Sequence, residues 1–321
     1  MTSFDCPFDA VHRCWDNNLL PALTVDPGDT VTFTTIDAGD GRIPPPSWAG
    51  NPGSPPERGI RPASVRSGHP LCGPVAIRGA QAGDTLAVEV LEIVPDAWGW
   101  TDFAPDFGLL ADEFEGRELI YWDLRGEKAV VRSDDPARRP MPVRLSQNPF
   151  CGVMGVAPAE PGEHSTTPPR SVGGNMDVRH LVPGSTLYLP VAVDGALFSA
   201  GDVHAAQGDG EVCGTGIECG ARVTLRFGLQ RSRRLSAPEY RTVEVRTPGP
   251  RYGTTGVAPD LMEATKQAVR GMITYLHDEH GFSRAEAYLL CSVAVDLAVS
   301  EVVDAPNWIV SAVLPLEVLA T

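Results

Sequence analysis

Apolar and polar residues run in short stretches through the first 250 positions, and most stretches are closed by glycine, proline or both. The run Thr85-Leu86-Ala87-Val88-Glu89-Val90 partly alternates, which is the period of a half-buried strand. On the same grounds Asp84–Val94, Lys128–Ser133, Ala221–Phe227 and Tyr240–Arg246 are predicted strands. Pairs such as Pro27-Gly28 and Pro183-Gly184 supply the turns between them. The period lengthens after Gly256. Leu261, Ala264, Ala268, Met272 and Leu276 recur at helical spacing, widened by Met262, Val269 and Ile273. Asp260 is the expected N-cap and Gly281 the expected stop. Ser283-Arg284-Ala285-Glu286 has the form of a capping box opening a second helix over Ala287–Ala298. Strand-like Ser300–Val303 and Trp308–Leu314 follow, with Pro306 between them. The pattern predicts a mainly β fold. A β-sandwich or barrel-like core fills residues 1–250, divisible into two β subdomains near 135, and an α+β segment fills 251–321.

Two turn–strand modules occur twice. Val25-Asp26-Pro27-Gly28-Asp29-Thr30-Val31-Thr32-Phe33 is echoed by Leu181-Val182-Pro183-Gly184-Ser185-Thr186-Leu187-Tyr188-Leu189. His69-Pro70-Leu71-Cys72-Gly73, followed by Ala82-Gly83-Asp84, aligns at a constant offset of 79 with Asn148-Pro149-Phe150-Cys151-Gly152 and Pro161-Gly162-Glu163. The order first, second, second, first implies a pseudo-symmetric β core carrying an internal repeat. Residues 43–62 are Pro-rich and read as a long loop of the kind that often shapes a site.

A net charge of −15 argues against nucleic acid and acidic membrane surfaces as partners, because both need a basic face. No run approaches the roughly 18 apolar residues of a membrane span. The first nine residues lack the basic and apolar stretches of a signal peptide, and seven cysteines show no Cys-x-x-Cys spacing. Free thiols in a reducing cytoplasm are therefore expected.

The densest polar cluster is Gly201-Asp202-Val203-His204-Ala205-Ala206-Gln207-Gly208-Asp209-Gly210-Glu211. Asp202 and His204, two apart on an extended chain, project to one face and suit a divalent cation. Gly208-Asp209-Gly210 would turn the chain and return Glu211 to the same rim, with Glu218 one strand length further on. The same residues equally describe a polar surface turn. Asp37 would either complete a metal site or cap the turn at Gly39. His164, in Pro161-Gly162-Glu163-His164-Ser165, is a candidate acid or base or a surface histidine of a Pro-rich loop. His12, His69 and Asp16 read as structural, and His277 and His280 as favourable charges at a helix C-terminus.

At these residues the chain resembles the acetamidase/formamidase family, in VMGVAPAEPGEHSTTPPR, GGNMDVRHLVPGSTLYLPV and GALFSAGDVHAAQGDGEVCGTGIE. The likeness continues in LTVDPGDTVTFTTIDAGDG and SRAEAYLLCSVAVDLAVSEVVDAPNWIVS. The resemblance implies hydrolysis of small linear amides, a β-rich fold, a metal-dependent site and homo-oligomers, a dimer first. It places function on Asp202, His204, Asp209, Glu211, Asn175, Asp177 and Asp37.

Lysine scarcity filters the mechanisms. Of 26 basic residues only Lys128 and Lys266 are lysine, and neither lies near the cluster in sequence, which disfavours lysine-dependent amidase chemistry. No Gly-x-Ser-x-Gly elbow is present. The expected mechanism is metal-activated water. Asp202, His204 and Glu218 or Asp37 hold the ion, zinc first, with calcium or manganese as alternatives. Glu211 acts as general base and then acid, and Asn175 or a nearby backbone N–H stabilises the oxyanion. The alternatives are a cysteine route through Cys151 or Cys213 with His164 or His204, hydrolysis of another C–N bond such as a cyclic amide or amidine, and a non-enzymatic β-sandwich binding a small ligand or Ca²⁺.

Overall fold

The computed structural model describes residues 1–49, 68–134, 140–243, 249–303 and 305–319. These form twenty strands, two α-helices and two short 3₁₀ turns. Two large sheets face one another, and a small three-stranded sheet packs against the helices. The six-stranded sheet runs in the order Ser3–Asp5, Thr30–Thr35, Ala221–Gln230, Thr85–Pro95, Thr186–Pro190, Glu239–Arg241. Its alternating residues Val31, Phe33, Leu86, Val88, Val90, Leu187, Val223, Leu225 and Phe227 are buried, which is the half-buried pattern seen in the sequence.

The second sheet has eleven strands and centres on Phe198–His204, whose seven residues are all buried. One edge of this strand pairs antiparallel with Phe150–Val156. The other edge is shared by Leu71–Ile77 along its first half and Glu218–Cys219 along its second. Phe198 joins the two sheets, with its ring against Phe33 and Phe227 at 6.1 and 5.1 Å between centroids. Such pairs add to the burial itself.

The internal repeat has a spatial counterpart. Leu71–Ile77 and Phe150–Val156, 79 residues apart along their whole length, flank the central strand on opposite sides. Cys72, Val75 and Ile77 point into the core, as do Cys151, Met154 and Val156. Thr30–Thr35 and Thr186–Pro190 lie second from opposite ends of the six-stranded sheet. The preceding turns match too. Gly28 and Gly184 adopt φ of 99° and 93°, conformations for which glycine is the residue of choice.

Helix α1 spans Leu261–His280 and α2 spans Arg284–Ala294. Asp260 caps α1 by accepting from Glu263 N, Gly281 ends it at φ 70°, and the Ser283–Glu286 capping box is closed in both directions. The antiparallel sheet beneath α1 runs Arg251–Ala258, Trp308–Pro315, Asp296–Glu301. Its approach is so close that a Cβ on Gly256 would lie 1.9 Å from Ala264 O. Residues of both the 1–250 and 251–321 segments, such as Phe33, Val203, Met272 and Leu290, share one hydrophobic cluster.

Several boundaries differ from the sequence reading. The second helix ends at Ala294 instead of Ala298, and the strand begins at Asp296 instead of Ser300. Tertiary bonds decide this: Leu297 N donates to Asp209 O, and Asp296 pairs with Arg179. The strand expected at Tyr240–Arg246 is seen at Glu239–Arg241, and 244–248 lie outside the described residues. So do 50–67, which include most of the Pro-rich loop 43–62, and 135–139 around the expected subdomain boundary, while Ser47–Ala49 of the loop forms a 3₁₀ turn.

Candidate active site

Simple alternation along the central strand would point Asp202 and His204 the same way as Phe198 and Ala200, into the apolar core. They do not go there. Asp202 adopts φ 56°, and beyond it Val203 takes the core side. The neighbouring strands change face at the same level. On one, Cys151 and Met154 are in the core while Val153 packs on the other side with Trp15 and Leu71. On the other, Cys72 and Val75 are in the core while Leu71 is not. This shared break brings two ionisable side chains out of an apolar strand onto a polar site. The left-handed conformation costs an aspartate about 1–2 kcal/mol, and such strain concentrates at functional positions.

After His204 the chain turns at Gly208–Gly210 and returns through Glu211, itself at φ 44°, to Glu218, which lies directly opposite His204. His204 Nε2 then faces three carboxylates: Glu218 Oε1 at 3.0 Å, Asp202 Oδ1 at 3.5 Å and Glu211 Oε1 at 3.7 Å. Asp177, at φ 50° beyond the Gly173–Asn175 strand, approaches Nδ1 of the same ring at 3.9 Å. Phe150 packs edge-on against the imidazole. Glycines make the room. A Cβ on Gly152 would lie 2.5 Å from Asp177 Oδ1 and 2.7 Å from Asp202 Oδ2, and one on Gly216 would lie 2.9 Å from His204 Cγ.

Four carboxylates around one buried imidazole cannot all ionise without a further positive charge. Burial would push His204 down, but Glu218 and Asp202 outweigh it and hold the ring well above its usual range. Burial lifts Glu218 to about 8, against the pull of His204. Burial and then Asp177 push Glu211 well above the normal carboxylate range, and burial lifts Asp177 itself to about 6. Asp202 is the exception. Burial pushes it up, yet the imidazoles of His69 and His204 and hydrogen bonds from His204 and Glu218 together hold it below the usual range.

Asp202, His204, Glu211 and Glu218 are thus brought together, and Asp177, named through the resemblance, joins them. Asp37 stands apart. It is buried and accepts from Trp100 Nε1 at 3.1 Å, and Trp100 in turn lies opposite Glu218 on the next strand. Asn175 gives one amide hydrogen to Thr167 O at 3.1 Å. Its strand neighbours Phe150–Val156 through Val153. His164 exchanges backbone hydrogen bonds with Trp15, and its Nε2 lies 3.0 Å from Glu160 O, outside the carboxylate cluster. Asp209 lies on the rim, 3.9 Å from His180. Asp16 bonds Asn18. His277 and His280 close the end of α1 on Phe282 O and Tyr275 Oη.

One member was read as structural in the sequence. His69 presents Nε2 to Asp202 Oδ2 at 3.9 Å while Nδ1 lies 3.1 Å from Thr166 Oγ1. Its signal was the repeat itself, since His69 opens one module copy where Asn148 opens the other.

Fold and site together define a β-sandwich protein with a buried imidazole ringed by carboxylates. The model of the acetamidase/formamidase family matches residues 5–162 and 159–321, and the chain belongs to that family of amide hydrolases. It is 29% identical over 278 residues to an acetamidase of Mycolicibacterium smegmatis, covering 68% of this chain and 65% of that protein's length. It is 26% identical over 378 residues to a formamidase of Methylophilus methylotrophus, covering 96% and 89%. Among solved structures, a gamma lactamase from Delftia acidovorans superposes with a TM-score of 0.84 at 27% identity, over 98% of this chain and 91% of that one. An acetamidase from Bacillus halodurans gives 0.62 at 29% identity, over 98% and 97%. No helix among the described residues is long and apolar enough to cross a membrane.

Proposed function

We propose that this chain hydrolyses small carboxamides to a carboxylate and ammonia at the His204 centre, with a divalent cation held by Asp202, His204 and Glu218. The observation that carries this is the set of donor atoms around His204 Nε2. Ligands sharing one ion at about 2.1 Å lie roughly 3.0–3.5 Å apart. Glu218 and Asp202 stand at 3.0 and 3.5 Å from that nitrogen. Glu218 Oε2 is buried without a hydrogen-bond partner, which a dication would satisfy, while Asp177 Oδ1 and His204 Nδ1, also unpartnered, would pair with each other on a small shift. The donor set, one imidazole and two carboxylates, suits zinc first, with manganese or calcium as alternatives. When bound, such an ion supplies Lewis-acid chemistry, polarising the amide carbonyl and making water more acidic.

The chain's own groups do the rest. Glu211, with 18% of its side chain exposed, is the most accessible of the carboxylates facing His204 Nε2. It takes a proton from water and returns it to the leaving nitrogen, a role suited to its raised pKa. Asp177, 3.9 Å from Nδ1, would orient the ring once a small shift brings the two into a hydrogen bond. Asn175, with its second amide hydrogen, is the proposed oxyanion donor. His164 has no part in this reading. Nor do the thiols. Cys151 faces the apolar core, and burial lifts its pKa to about 12 and that of Cys213 to about 11, away from the thiolate a nucleophile needs.

A second substrate class is favoured by the TM-score of 0.84 to the gamma lactamase against 0.62 to the acetamidase. A lactam presents the same amide carbonyl, and ring opening leaves the amine attached. A panel of formamide, acetamide, a bulkier linear amide and a five-membered lactam separates the two by ammonia against ring-opened amino acid. Turnover of none of them would leave a binding module. Homo-oligomer formation belongs to the same reading and is tested by light scattering.

A further inference from the structure

Glu211 is a non-glycine residue in a left-handed conformation, and such a residue stays there only when its surroundings over-determine it. Leu109 N and Leu297 N hold Val212 O and Asp209 O on either side of it, and α2 supplies the side-chain hydroxyls. This helix is buried from Ala287 to Ala294 and presents Tyr288 and Ser292, one turn apart, to the backbone of 208–215. Tyr288 Oη donates to Val212 O at 2.5 Å and accepts from Leu110 N at 3.0 Å. Ser292 Oγ accepts from Cys213 N at 3.1 Å and donates to Thr215 O at 2.8 Å, while Ser292 O accepts from Gly208 N at 2.8 Å. The chain on both sides of Glu211 is thereby tied to one helix. Neither hydroxyl touches the four carboxylates. Each donates one hydrogen bond to the backbone and accepts one from it, which is more than packing a helix against a loop requires.

We propose that Tyr288 and Ser292 are positioning residues that hold Glu211 in the conformation aiming its carboxylate at His204. The proposal rests on the reading of Glu211 as proton carrier. Removing either hydroxyl leaves the fold and the cation ligands in place but frees the loop. A displacement on the order of 1 Å at a reacting group costs about 100-fold in rate.

The test uses the full chain, with Tyr288→Phe, Ser292→Ala and the control Ser283→Ala, which removes the cap of α2 and keeps both hydroxyls. The expected result is a kcat on the preferred amide reduced roughly 10- to 100-fold by the first two with KM nearly unchanged. Ser283→Ala lowers the thermal midpoint and leaves kcat intact. Wild-type kcat in both hydroxyl variants would overturn the proposal, as would an equal loss in Ser283→Ala. Ser292→Ala carries the same test should Tyr288→Phe not fold. Crystal structures of wild type and variants keep the two readings apart. If wild type turns over no amide, the proposed function falls. The positioning role then stands if Glu211 leaves its place 3.7 Å from His204 in the variants, and falls if it stays.

Discussion

Asp202 Oδ1 and His204 Nε2 meet at 3.5 Å on a strand whose Phe198, Ala200 and Val203 belong to the apolar core. The meeting depends on Asp202 at φ 56°, which turns the pair away from Phe198 and Ala200. The strand between the two sheets is therefore both the centre of the sandwich and the wall of the site. Substitutions here read out packing and chemistry together.

Gly152 lies on the strand facing this pair. Because its Cβ would fall 2.5–3.0 Å from Asp177, Asp202 and His204, Gly152→Ala forces the carboxylates apart. Overpacking of this kind costs about 1–3 kcal/mol. We expect that loss in denaturant unfolding and a fall in turnover of about 100-fold. Near-normal turnover would show that the cluster tolerates a wider geometry than described.

Glu211→Gln keeps size and shape but cannot carry a proton. A general acid–base group contributes about 10²–10⁴-fold, and kcat should fall by that range with folding unaffected. A variant retaining most of its turnover would remove Glu211 from the proton-carrying role.

Cys151 tests the thiol alternative. Cys151→Ala should leave turnover within a few-fold of wild type and cost about 1–2 kcal/mol in stability, the size of a small core truncation. A loss of a thousandfold or more, at unchanged cation content, would restore a cysteine mechanism.

His12 gives a pH signature separate from the site. Its Nδ1 donates to Cys14 O, and in the neutral ring its Nε2 accepts from Ser199 Oγ. Burial lowers its pKa to about 4, with Arg13 adding to the effect and the bond to Cys14 opposing it. An exposed histidine titrates near 6.5. Between these values the unfolded chain binds a proton that the folded chain refuses. The contribution is complete above about pH 6.5 and is lost as pH falls toward 4, by up to about 1.4 kcal/mol per unit. Wild type should lose more stability than His12→Gln between pH 7 and 4.5. Equal losses would mean the ring is charged in the folded state.

The elements that the sequence made legible are those whose local signals agree with the fold. Asp260, Gly281 and the Ser283–Glu286 box marked the helix ends correctly because capping is decided within four residues. The repeat showed because its copies occupy equivalent positions beside the central strand. The end of α2 was missed because Asp296 and Leu297 answer to Arg179 and Asp209, far away in sequence. In the site, closeness in sequence put Asp202, His204, Glu211 and Glu218 on one page. The positive φ at Asp202 was not legible, since nothing local distinguishes an aspartate that must leave a core face. For the same reason the sequence alone marks His69 as structural and leaves Asp37 between a ligand and a turn cap. Only the tertiary contacts show that one faces Asp202 and the other bonds Trp100.

The most direct test is cation content measured alongside amide turnover, in wild type and in Glu218→Gln. The account predicts about one divalent ion per chain in wild type. Both the ion and turnover should be lost on chelation and in the variant, and turnover should return when the cation is restored to wild type. Full turnover by wild-type protein shown to be free of metal would contradict it.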